Sequence, residues 1–319
     1  MEKRRIEHLL GGERRICITG HVRPDGDCVG SCLGLRSYLL TLDATLKVDV
    51  FLEPAPAPFA LLTGFDGIRT YRQEDGEYDL CFVLDAGERG RLGANAACLD
   101  HAGRIVCIDH HRTQRSFVPE CIVEPEASAT CELLFDLMDE EKINLETAEC
   151  LYLGIAHDTG VFRHSNVTRH TMEAAGVLIG KGVRHSKIVN DTFFSKTYLQ
   201  NQLLGRALVE SIVFCEGQCI VSMVSLKTME FYRATHEDLE GIVDQLRLTR
   251  GVEVAIFISE TEFQVYKVSL RSNEKVDVSR VAEYFGGGGH LRAAGCTMTG
   301  TFYDVVNNLS EQIAPQLGM

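Results

Sequence analysis

Four short, almost continuously apolar runs in the first half constrain the fold of this chain more than any other feature. They occupy residues 14–20, 46–52, 78–84 and 104–108. Helical patterns flank them, over residues 27–41, 128–138, 146–157 and 168–181. Apolar runs of strand length between helices are typical of a mostly parallel sheet that is covered on both faces. The first half is therefore predicted to be an open α/β domain.

The second half shows a different order of elements. Residues 195–214 predict a linker helix. Strands are predicted near 218–225, 252–259 and 263–271, and helices near 236–248, 278–285 and 301–315. This order favours a smaller α/β domain with a mixed sheet. We predict a first domain over residues 1–190, a second over residues 191–319, and a cleft between them.

The charge of the chain limits its partners. Its 319 residues carry a formal net charge of −13. A protein with this balance repels long polyanions unless a basic groove offsets its field. Long DNA or RNA is therefore not an expected partner, whereas a local cationic site for a small phosphate ligand is compatible with the total.

Twelve cysteines are present, several of them inside the apolar runs. Free cysteine packs as a small hydrophobic residue, so buried, reduced thiols are expected. Cys28 and Cys32 are four residues apart, as are Cys215 and Cys219, and each pair has the spacing of metal ligands. No second pair completes a zinc tetrad at typical spacing, so a zinc finger is not favoured.

The lack of a recognisable targeting signal favours a cytoplasmic location. The N-terminal segment MEKRRIEHLL is charged and lacks the apolar stretch of a signal peptide. No run of about 18 apolar residues occurs, so no membrane span or membrane partner is expected.

Acidic residues and histidines follow three of the predicted strands. The motif HVRPDGD (21–27) follows the first strand, Asp85 follows the third, and Asp109-His110-His111 follows the fourth. Asp158 lies near the end of an apolar helix, in GIAHDTG. Ligands of open α/β sheets bind at the carboxyl ends of the strands, so these motifs are expected to converge.

Two divalent cations would explain this convergence. Four carboxylates in one place repel each other strongly, and two such ions would cancel their charge. Mixed carboxylate and imidazole ligands favour Mn²⁺, with Mg²⁺, Co²⁺ or iron as alternatives. Each motif alone has an ordinary explanation, such as a turn in which Asp27 caps the first helix. The candidate ligands are the carboxylates of Asp25, Asp27, Asp85 and Asp158 and the imidazoles of His21, His110 and His111.

The same motifs carry a resemblance to a known family. HVRPDGD, VLDAG, IDHH and GIAHDTG resemble the four signature motifs of the DHH phosphoesterases. The segment SLRSNEKVDVSRVAEYFGGGGHLRAAG (269–295) resembles the DHH-associated C-terminal domain. The resemblance covers nearly the whole chain and is nearest to the oligoribonuclease (nanoRNase)/pAp phosphatase branch. It implies a catalytic two-metal first domain and a substrate-binding second domain.

The resemblance also implies a role for each residue of the motifs. His21 and Asp25 would hold one metal ion, the second ion would lie among Asp27, His110 and Asp158, and Asp85 would bridge both. Two further residues would be catalytic: His111 would face the scissile phosphate, and Asp109 would orient the histidines. His157, just before Asp158, departs from the smaller or apolar residue expected there.

A run of four glycines before His290 marks the expected substrate site of the second domain. Glycines let backbone N–H groups approach an anion closely, although such a run alone would also suit a flexible linker. Arg271 adds a planar phosphate donor at a strand end. The predicted substrate-binding residues are Arg271, Gly287, Gly288, Gly289, His290 and Arg292.

The resemblance implies two-metal hydrolysis of phosphate esters. The favoured substrates are short oligoribonucleotides, dinucleotides such as pApA, and adenosine 3′,5′-bisphosphate. A cyclic-dinucleotide (c-di-AMP) phosphodiesterase and a non-catalytic nucleotide sensor are the alternatives. A processive exonuclease is less favoured because no basic surplus is present, and a family II pyrophosphatase because the C-terminal pattern is of the glycine-histidine type. Both a monomer and a homodimer are compatible with the sequence.

Overall fold

The apolar runs of the first half form a parallel sheet in the computed structural model, which describes residues 5–111 and 117–319. The first four residues of the charged N-terminal segment thus lie outside the described residues. The strands are β1 (Arg15–Thr19), β2 (Lys47–Phe51), β3 (Tyr78–Leu84), β4 (Ala102–Asp109) and β5 (Glu120–Val123). Their order is β2-β1-β3-β4-β5, and every pair is parallel. The predicted fold class is confirmed for this half.

Within residues 5–111 and 117–195, the first unit contains five α-helices. They are α1 (Gly26–Leu42), α2 (Thr130–Leu137), α3 (Leu145–Asp158), α4 (Arg169–Gly180) and α5 (His185–Val189). Residues of α1, α2 and α3 share one apolar core with one face of the sheet. The other face packs against a 3₁₀ segment, Arg89–His101, in a smaller core that contains four cysteines. The predicted helices therefore cover one face of the sheet, and the 3₁₀ segment that covers the other face was not predicted.

The second unit is built on a mixed sheet. Its helices are α6 (Tyr198–Val209), α7 (Leu226–Tyr232), α8 (Ile242–Arg247), α9 (Val278–Tyr284) and α10 (Phe302–Ile313). Its strands are β6 (Ile212–Phe214), β7 (Cys219–Val224), β8 (Val254–Glu262), β9 (Val265–Ser272), β10 (Gly288–His290) and β11 (Ala293–Thr299). Their order is β10-β11-β9-β8-β7-β6, and only β7 and β8 pair in parallel. By contacts the chain divides into Met1–Ser195 and Lys196–Met319.

The predicted linker helix over residues 195–214 was too long. A π-helical turn occupies Asn190–Phe194, α6 ends at Val209, and β6 follows it. Residues Cys215–Gly217 all have positive φ and make a tight turn, which lets β6 pair antiparallel with β7. The helical spacing of the apolar residues did not reveal that the last of them join a sheet.

Other elements also differ from the prediction, which contained neither β5 nor α7. The helix predicted near 236–248 is a 3₁₀ turn, His236–Leu239, followed by α8, because Gly241 adopts a left-handed conformation with φ of 80°. The strands β10 and β11 were not predicted, since their glycines and alanines lack strong apolar alternation. In the described part of the chain, no helix combines the length and the apolar character that crossing a membrane requires.

The mixed sheet has an apolar face, which packs against α9 and α10, and a polar face, which is polar over β9 but packs against α6 and α8 over β7 and β8. Alternate residues of β8, β9 and β11 are buried in a core shared with α9 and α10. The residues between them, such as Lys267, Ser269 and Arg271 of β9, lie on the opposite face. This alternation has the period of two that a strand imposes, and it places the predicted strand-end arginine on the polar face.

Candidate metal centre

The acidic motifs follow β1, β3 and β4 at the carboxyl edge of the parallel sheet. In the strand order β2-β1-β3-β4-β5, the chain reverses direction across the sheet between β1 and β3. Crevices form at such a switch point because the connections leave in opposite directions. The loop with His21 follows β1 and Asp85 follows β3, so both lie at this crevice.

Asp25 begins the first helix and also faces His21. Its carboxylate accepts hydrogen bonds from the backbone N–H groups of Asp27 and Cys28, both at 3.1 Å, and so caps α1. The same oxygen lies 3.6 Å from His21 Nε2. The ordinary explanation, in which Asp27 would cap this helix, is wrong because Asp25 already accepts the free N–H groups.

Asp27 is fully buried and is held by a distant helix. Its two carboxylate oxygens accept hydrogen bonds from the N–H groups of Thr130, at 2.7 Å, and Cys131, at 2.9 Å. These N–H groups begin α2, where the free donors and the helix dipole favour a negative charge. The start of α2 thus fixes the position of the Asp27 carboxylate.

The carboxylate of Asp85 lies at the centre of the cluster. Its Oδ2 is 3.4 Å from His21 Nε2, and its Oδ1 is 3.6 Å from His110 Nε2 and from His111 Nδ1. Thr130 Oγ1 also donates to Oδ1, at 3.1 Å. One carboxylate that faces His21 with one oxygen and His110 with the other has the arrangement of a bridging ligand.

Asp158, the last residue of α3, completes the cluster from the other side. Its Oδ2 lies 3.1 Å from His110 Nε2, which is 3.9 Å from Asp27 Oδ2. Donor atoms of Asp27, His110 and Asp158 all lie within 4.8 Å of one another. The structure thus brings the six predicted metal ligands together.

The two imidazoles at the centre are oriented as metal ligands require. Nδ1 of His21 lies 2.9 Å from the carbonyl of Val22, and Nδ1 of His110 lies 3.3 Å from that of Ala127. If each Nδ1 carries the proton it donates to its carbonyl, and each Nε2 is left with a lone pair directed at the carboxylates. His110 Nε2 is buried and forms no well-aligned hydrogen bond within the described residues. These residues therefore fit divalent cations.

His111 differs from His110 in its surroundings. Its Nδ1 lies 2.7 Å from Asp109 Oδ1, and its side chain is 43% exposed, against 14% for His110. Asp109 itself is fully buried. Asp109 orients His111 alone, because His110 is anchored on Ala127 instead.

The pKa values show how strongly the charges of the cluster interact. Burial lowers the pKa of His21, but its interactions with the Asp25 and Asp85 carboxylates outweigh this and raise it to about 12. Burial, together with the neighbouring Asp85 and Asp158 carboxylates, raises the pKa of Asp27 well above its usual range. Without cations, repulsion between the carboxylates favours their protonated forms. Bound cations would favour the ionised carboxylates instead.

Close packing of two helices brings Asp27 next to Asp158. A Cβ on Gly26 would collide with the His157 ring, one on Gly30 with the carbonyl of Cys150, and one on Gly154 with Asp27 Oδ1. The start of α1 and the end of α3 therefore approach each other only because these positions are glycine. The spacing of Gly26, Gly30 and Gly34 is the signal in the sequence that our prediction missed.

Thr130 was also missed, and Cys28 was considered only as one of a pair with Cys32. Thr130 donates to both Asp27 and Asp85, as described above. The thiol of Cys28 lies within 4.8 Å of ligand atoms of His21 and Asp85, and burial raises its pKa well above the usual range. His157, the departure noted in the sequence, packs against Phe59 and Phe193 and forms a 2.9 Å hydrogen bond with Thr192.

Two predicted substrate-binding residues share one face of the second unit. His290 of β10 is opposite Ala293 of β11, which is opposite Arg271 of β9. Residues opposite each other on adjacent strands point to the same face. His290 and Arg271 are two strands apart, about 10 Å, and only a small alanine lies between them.

The glycine run is part of the folded sheet. The N–H of Gly287 donates to Ala282 O at the end of α9, and a Cβ at Gly287 would collide with Gly295 O. Gly288 and Gly289 pair with β11, and Gly288 has open space where a Cβ would lie. The Gly287 N–H is therefore already hydrogen-bonded within the protein, whereas the space beside Gly288 is unoccupied.

Arg292 makes internal contacts. Its guanidinium donates to the carbonyl of Val276 at 2.9 Å and to that of Glu274. The same loop is held by the buried carboxylate of Glu253, which accepts hydrogen bonds from the N–H groups of residues 274–276. Arg292 therefore fastens the loop that precedes α9.

Carboxylates and imidazoles that converge at the carboxyl edge of a parallel sheet, with a second α/β unit after it, define a metal-dependent phosphoesterase, a hydrolase of phosphoester bonds. Comparison with known proteins gives the family. The DHH family N-terminal domain matches residues 15–155, and the DHHA1 domain matches residues 216–317.

Similar proteins align over most of the chain. It is 31% identical to the bifunctional oligoribonuclease and PAP phosphatase NrnA of Thermus thermophilus, over 95% of this chain and 90% of that one. It is 27% identical to the cyclic-di-AMP phosphodiesterase PdeA of Listeria monocytogenes, over 91% of this chain but 45% of that one. The crystal structure of an exopolyphosphatase-related protein from Bacteroides fragilis has a TM-score of 0.87 and 28% identity, over 97% and 95%. The chain belongs to the DHH family, which confirms the resemblance.

Proposed function

We propose that this phosphoesterase hydrolyses short oligoribonucleotides, including dinucleotides such as pApA, and adenosine 3′,5′-bisphosphate. The observation that carries the proposal is the convergence of the six predicted ligands around Asp85, with His111 exposed beside them. The Thermus thermophilus relative, which covers nearly the same length, is named an oligoribonuclease and PAP phosphatase.

Two divalent cations, Mn²⁺ in the first place, are the proposed cofactors. One ion would be held by His21 and Asp25, the other by Asp27, His110 and Asp158, with Asp85 shared between them. Bound at these residues, the ions would supply Lewis acidity and a nucleophile at neutral pH. Imidazole ligands beside carboxylates favour Mn²⁺ over Mg²⁺, which prefers oxygen ligands and water.

His111 and Asp109 are the proposed catalytic pair. The Asp109 carboxylate lies 2.7 Å from His111 Nδ1 and stabilises the charged form of the ring, and this contact, with the other nearby groups, raises the pKa of His111. His111 therefore donates a hydrogen bond from Nε2 to a phosphoryl oxygen as negative charge develops there. Asp109 acts by positioning this ring.

The proposed role of the second unit is to capture the substrate phosphate that is remote from the scissile bond. Arg271 and His290 lie on its open polar face and are separated by Ala293. An arginine fork and an imidazole about 10 Å apart suit the phosphate and the base or ribose of one terminal nucleotide.

Metal removal tests the two-metal proposal. We expect excess chelator to abolish hydrolysis of pApA and added Mn²⁺ to restore it more fully than Mg²⁺, because the four carboxylates converge with imidazole nitrogens, and this mixed ligand set favours Mn²⁺. Manganese content is measured on the same samples by elemental analysis. Full activity in excess chelator would show that the carboxylates serve another purpose.

Product analysis tests the substrate. The Mn²⁺-loaded enzyme is given pApA, a long RNA, c-di-AMP and adenosine 3′,5′-bisphosphate at equal concentrations. We expect pApA to have the highest kcat/KM, with release of AMP, and adenosine 3′,5′-bisphosphate to be cleaved to AMP and phosphate. No turnover of any of the four would favour a nucleotide sensor instead.

Hydrolysis of cyclic dinucleotides is the second candidate. It is favoured by the 27% identity to the Listeria monocytogenes phosphodiesterase, of which this chain spans less than half. A cyclic dinucleotide has no terminal phosphate for Arg271 to bind. Faster turnover of c-di-AMP than of pApA in the same assay would select this activity.

The proposed location is a reducing compartment such as the cytoplasm. Cys81 and Cys98 form no disulfide with each other although their sulfurs are 3.8 Å apart. Thiols this close would be oxidised readily in a compartment that favours disulfides.

A further inference from the structure

A cavity of about 460 Å³ on the polar face of the second unit contains charges of both signs. Lys267 and Arg271 of β9 line it, together with three carboxylates, those of Glu237, Glu240 and Asp244. A site for phosphate alone would not need carboxylates, because they repel the ligand. The contacts of each carboxylate show which of them has a role toward Arg271.

Asp244 occupies the edge of Arg271 that a phosphate would use. Arg271 Nε donates to Asp244 Oδ1 at 3.1 Å, and one terminal nitrogen donates to the carbonyl of Leu270 at 3.1 Å. Arginine binds phosphate through two parallel N–H groups on one edge. A substrate phosphate therefore has to replace Asp244 to make this contact.

Arg247 offers Asp244 a second partner. It lies three residues further along α8, and its Nε is 4.0 Å from the same Oδ1 of Asp244. That Nε is buried and has no hydrogen-bond partner among residues 5–111 and 117–319, while a terminal nitrogen of Arg247 donates to Asn273 at 2.8 Å. A buried N–H without a partner is costly, so a small movement of Asp244 toward Arg247 would satisfy it.

We propose that Asp244 is a displaceable carboxylate that competes with the terminal phosphate of the substrate for Arg271. It pairs with Arg271 in the free enzyme and moves to Arg247 Nε when the substrate phosphate takes Arg271. A terminal phosphate carries about −1.5 to −2 charges at neutral pH and competes with a carboxylate better than a singly charged phosphodiester does. The inference rests on the phosphate-capturing role proposed for Arg271, and it makes Asp244 a positioning residue that weakens the capture of the terminal phosphate in the wild-type enzyme.

The first test is Asp244→Asn in the full-length, Mn²⁺-loaded enzyme. Steady-state rates are measured on pApA and on ApA, which lacks the terminal phosphate. We expect the KM for pApA to fall roughly two- to fivefold, the range for an exposed ion pair, with kcat unchanged. The KM for ApA should change much less. A higher KM for pApA would show that Asp244 only holds Arg271 in place, and would overturn the proposal.

Glu240→Gln is the matched control. It removes one negative charge from the same cavity, but Glu240 has no hydrogen bond to Arg271 in the structure. An effect of Asp244→Asn well beyond that of Glu240→Gln supports a specific exchange. Equal effects of the two variants would mean that the loss of any negative charge in the cavity lowers the KM, and this would refute the exchange.

Arg247→Lys tests the second position of Asp244. Lysine keeps the positive charge but has no Nε–H of this geometry. We expect it to raise the KM for pApA in the wild-type background and to have no such effect when Asp244 is already asparagine. Independent effects in the double variant would contradict the exchange. Arg271→Ala distinguishes failure of the exchange from failure of the proposed phosphate capture. An unchanged KM for pApA in this variant would refute phosphate capture by Arg271.

Discussion

At the residue scale, Asp85 is the point on which the metal centre depends. It follows β3 directly, and its φ of 55° is in the left-handed region, which residues other than glycine adopt at a cost. Its N–H donates to Ile108 O at 3.2 Å, and its side chain is 3% exposed. This backbone turns the carboxylate toward His21 and His110 together, so one residue serves both halves of the site.

Replacement of Asp85 is therefore predicted to be the most damaging single change. We expect Asp85→Ala to lose bound manganese and to lower kcat on pApA by more than about a hundredfold, since changes in residues that merely support metal ligands already cost 10- to 100-fold. Asp25→Ala, which removes a carboxylate next to His21 alone, should retain more metal. Turnover of Asp85→Ala near the wild-type rate would show that Asp85 is not the shared ligand.

Arg292 shows that a residue in a functional motif can have a structural role. Its contacts with Val276 and Glu274 predict that Arg292→Ala lowers the free energy of unfolding by about 1–3 kcal/mol, because the carbonyl of the buried Val276 loses a charged donor. The exposed Arg280, paired only with Asp277, is the control, and Arg280→Ala should cost far less.

Chemical denaturation measures both variants, and rates on pApA and ApA complete the comparison. A stable Arg292→Ala variant with a higher KM for pApA alone would instead support the substrate-binding role that the sequence predicted.

At the scale of elements, the contact between α1 and α3 assembles the site. Gly26 and Gly30 of α1 and Gly154 of α3 leave no room for a methyl group. Glycine in a helix costs about 0.5–1 kcal/mol relative to alanine. Here that cost is offset by an approach close enough to place Asp158 beside the buried Asp27.

Gly154→Ala is predicted to disturb both stability and metal binding. Its methyl group would collide with Asp27 Oδ1 and with the Cys131 side chain, and overpacking of this kind costs about 1–3 kcal/mol. Gly176→Ala in α4 is the matched control, since nothing lies within 4 Å of its Cβ position. It should be neutral or stabilising by up to about 1 kcal/mol.

Thermal unfolding and manganese content are measured for both glycine variants. Equal stability and equal metal content in the two would mean that α1 and α3 tolerate a wider separation, and that the glycines do not set the geometry of the site.

At the scale of the whole molecule, net charge limits the substrate. The value of −13 opposes the approach of every additional phosphate beyond those that local cations bind. The cations of the second unit's cavity, Lys267 and Arg271, are accompanied by three carboxylates. The field therefore favours ligands with few phosphates, independently of the chemistry at the metals.

RNA length is the corresponding prediction. At low ionic strength we expect RNAs of roughly two to five nucleotides to have a higher kcat/KM than a long single strand, because the net charge of −13 repels the distant phosphates of the long strand. Added salt should narrow the difference, since it screens charges beyond about 10 Å. Equal rates per end on a dinucleotide and a long strand would contradict the argument.

The sequence by itself predicted the first four strands of the first unit's sheet, but not β5, and it predicted the segments that surround the metal centre. Burial on both faces requires apolar runs, which are a local property, and the motifs stand directly after those runs. Because parallel strands end at one edge, His21, Asp85 and His110 had to approach each other. The motifs of the second half likewise indicated a second α/β unit of the same family.

Only the tertiary structure decided the partners of these side chains. Asp27 is held by Thr130, 103 residues away, and Arg271 by Asp244 on a separate helix. Arg292 donates hydrogen bonds to backbone carbonyls, and the Gly287 N–H donates to a carbonyl near the end of α9. A hydrogen bond depends on distance and angle to within tenths of an ångström, and the packing of remote elements sets these quantities. Residue type and spacing along the chain do not contain them.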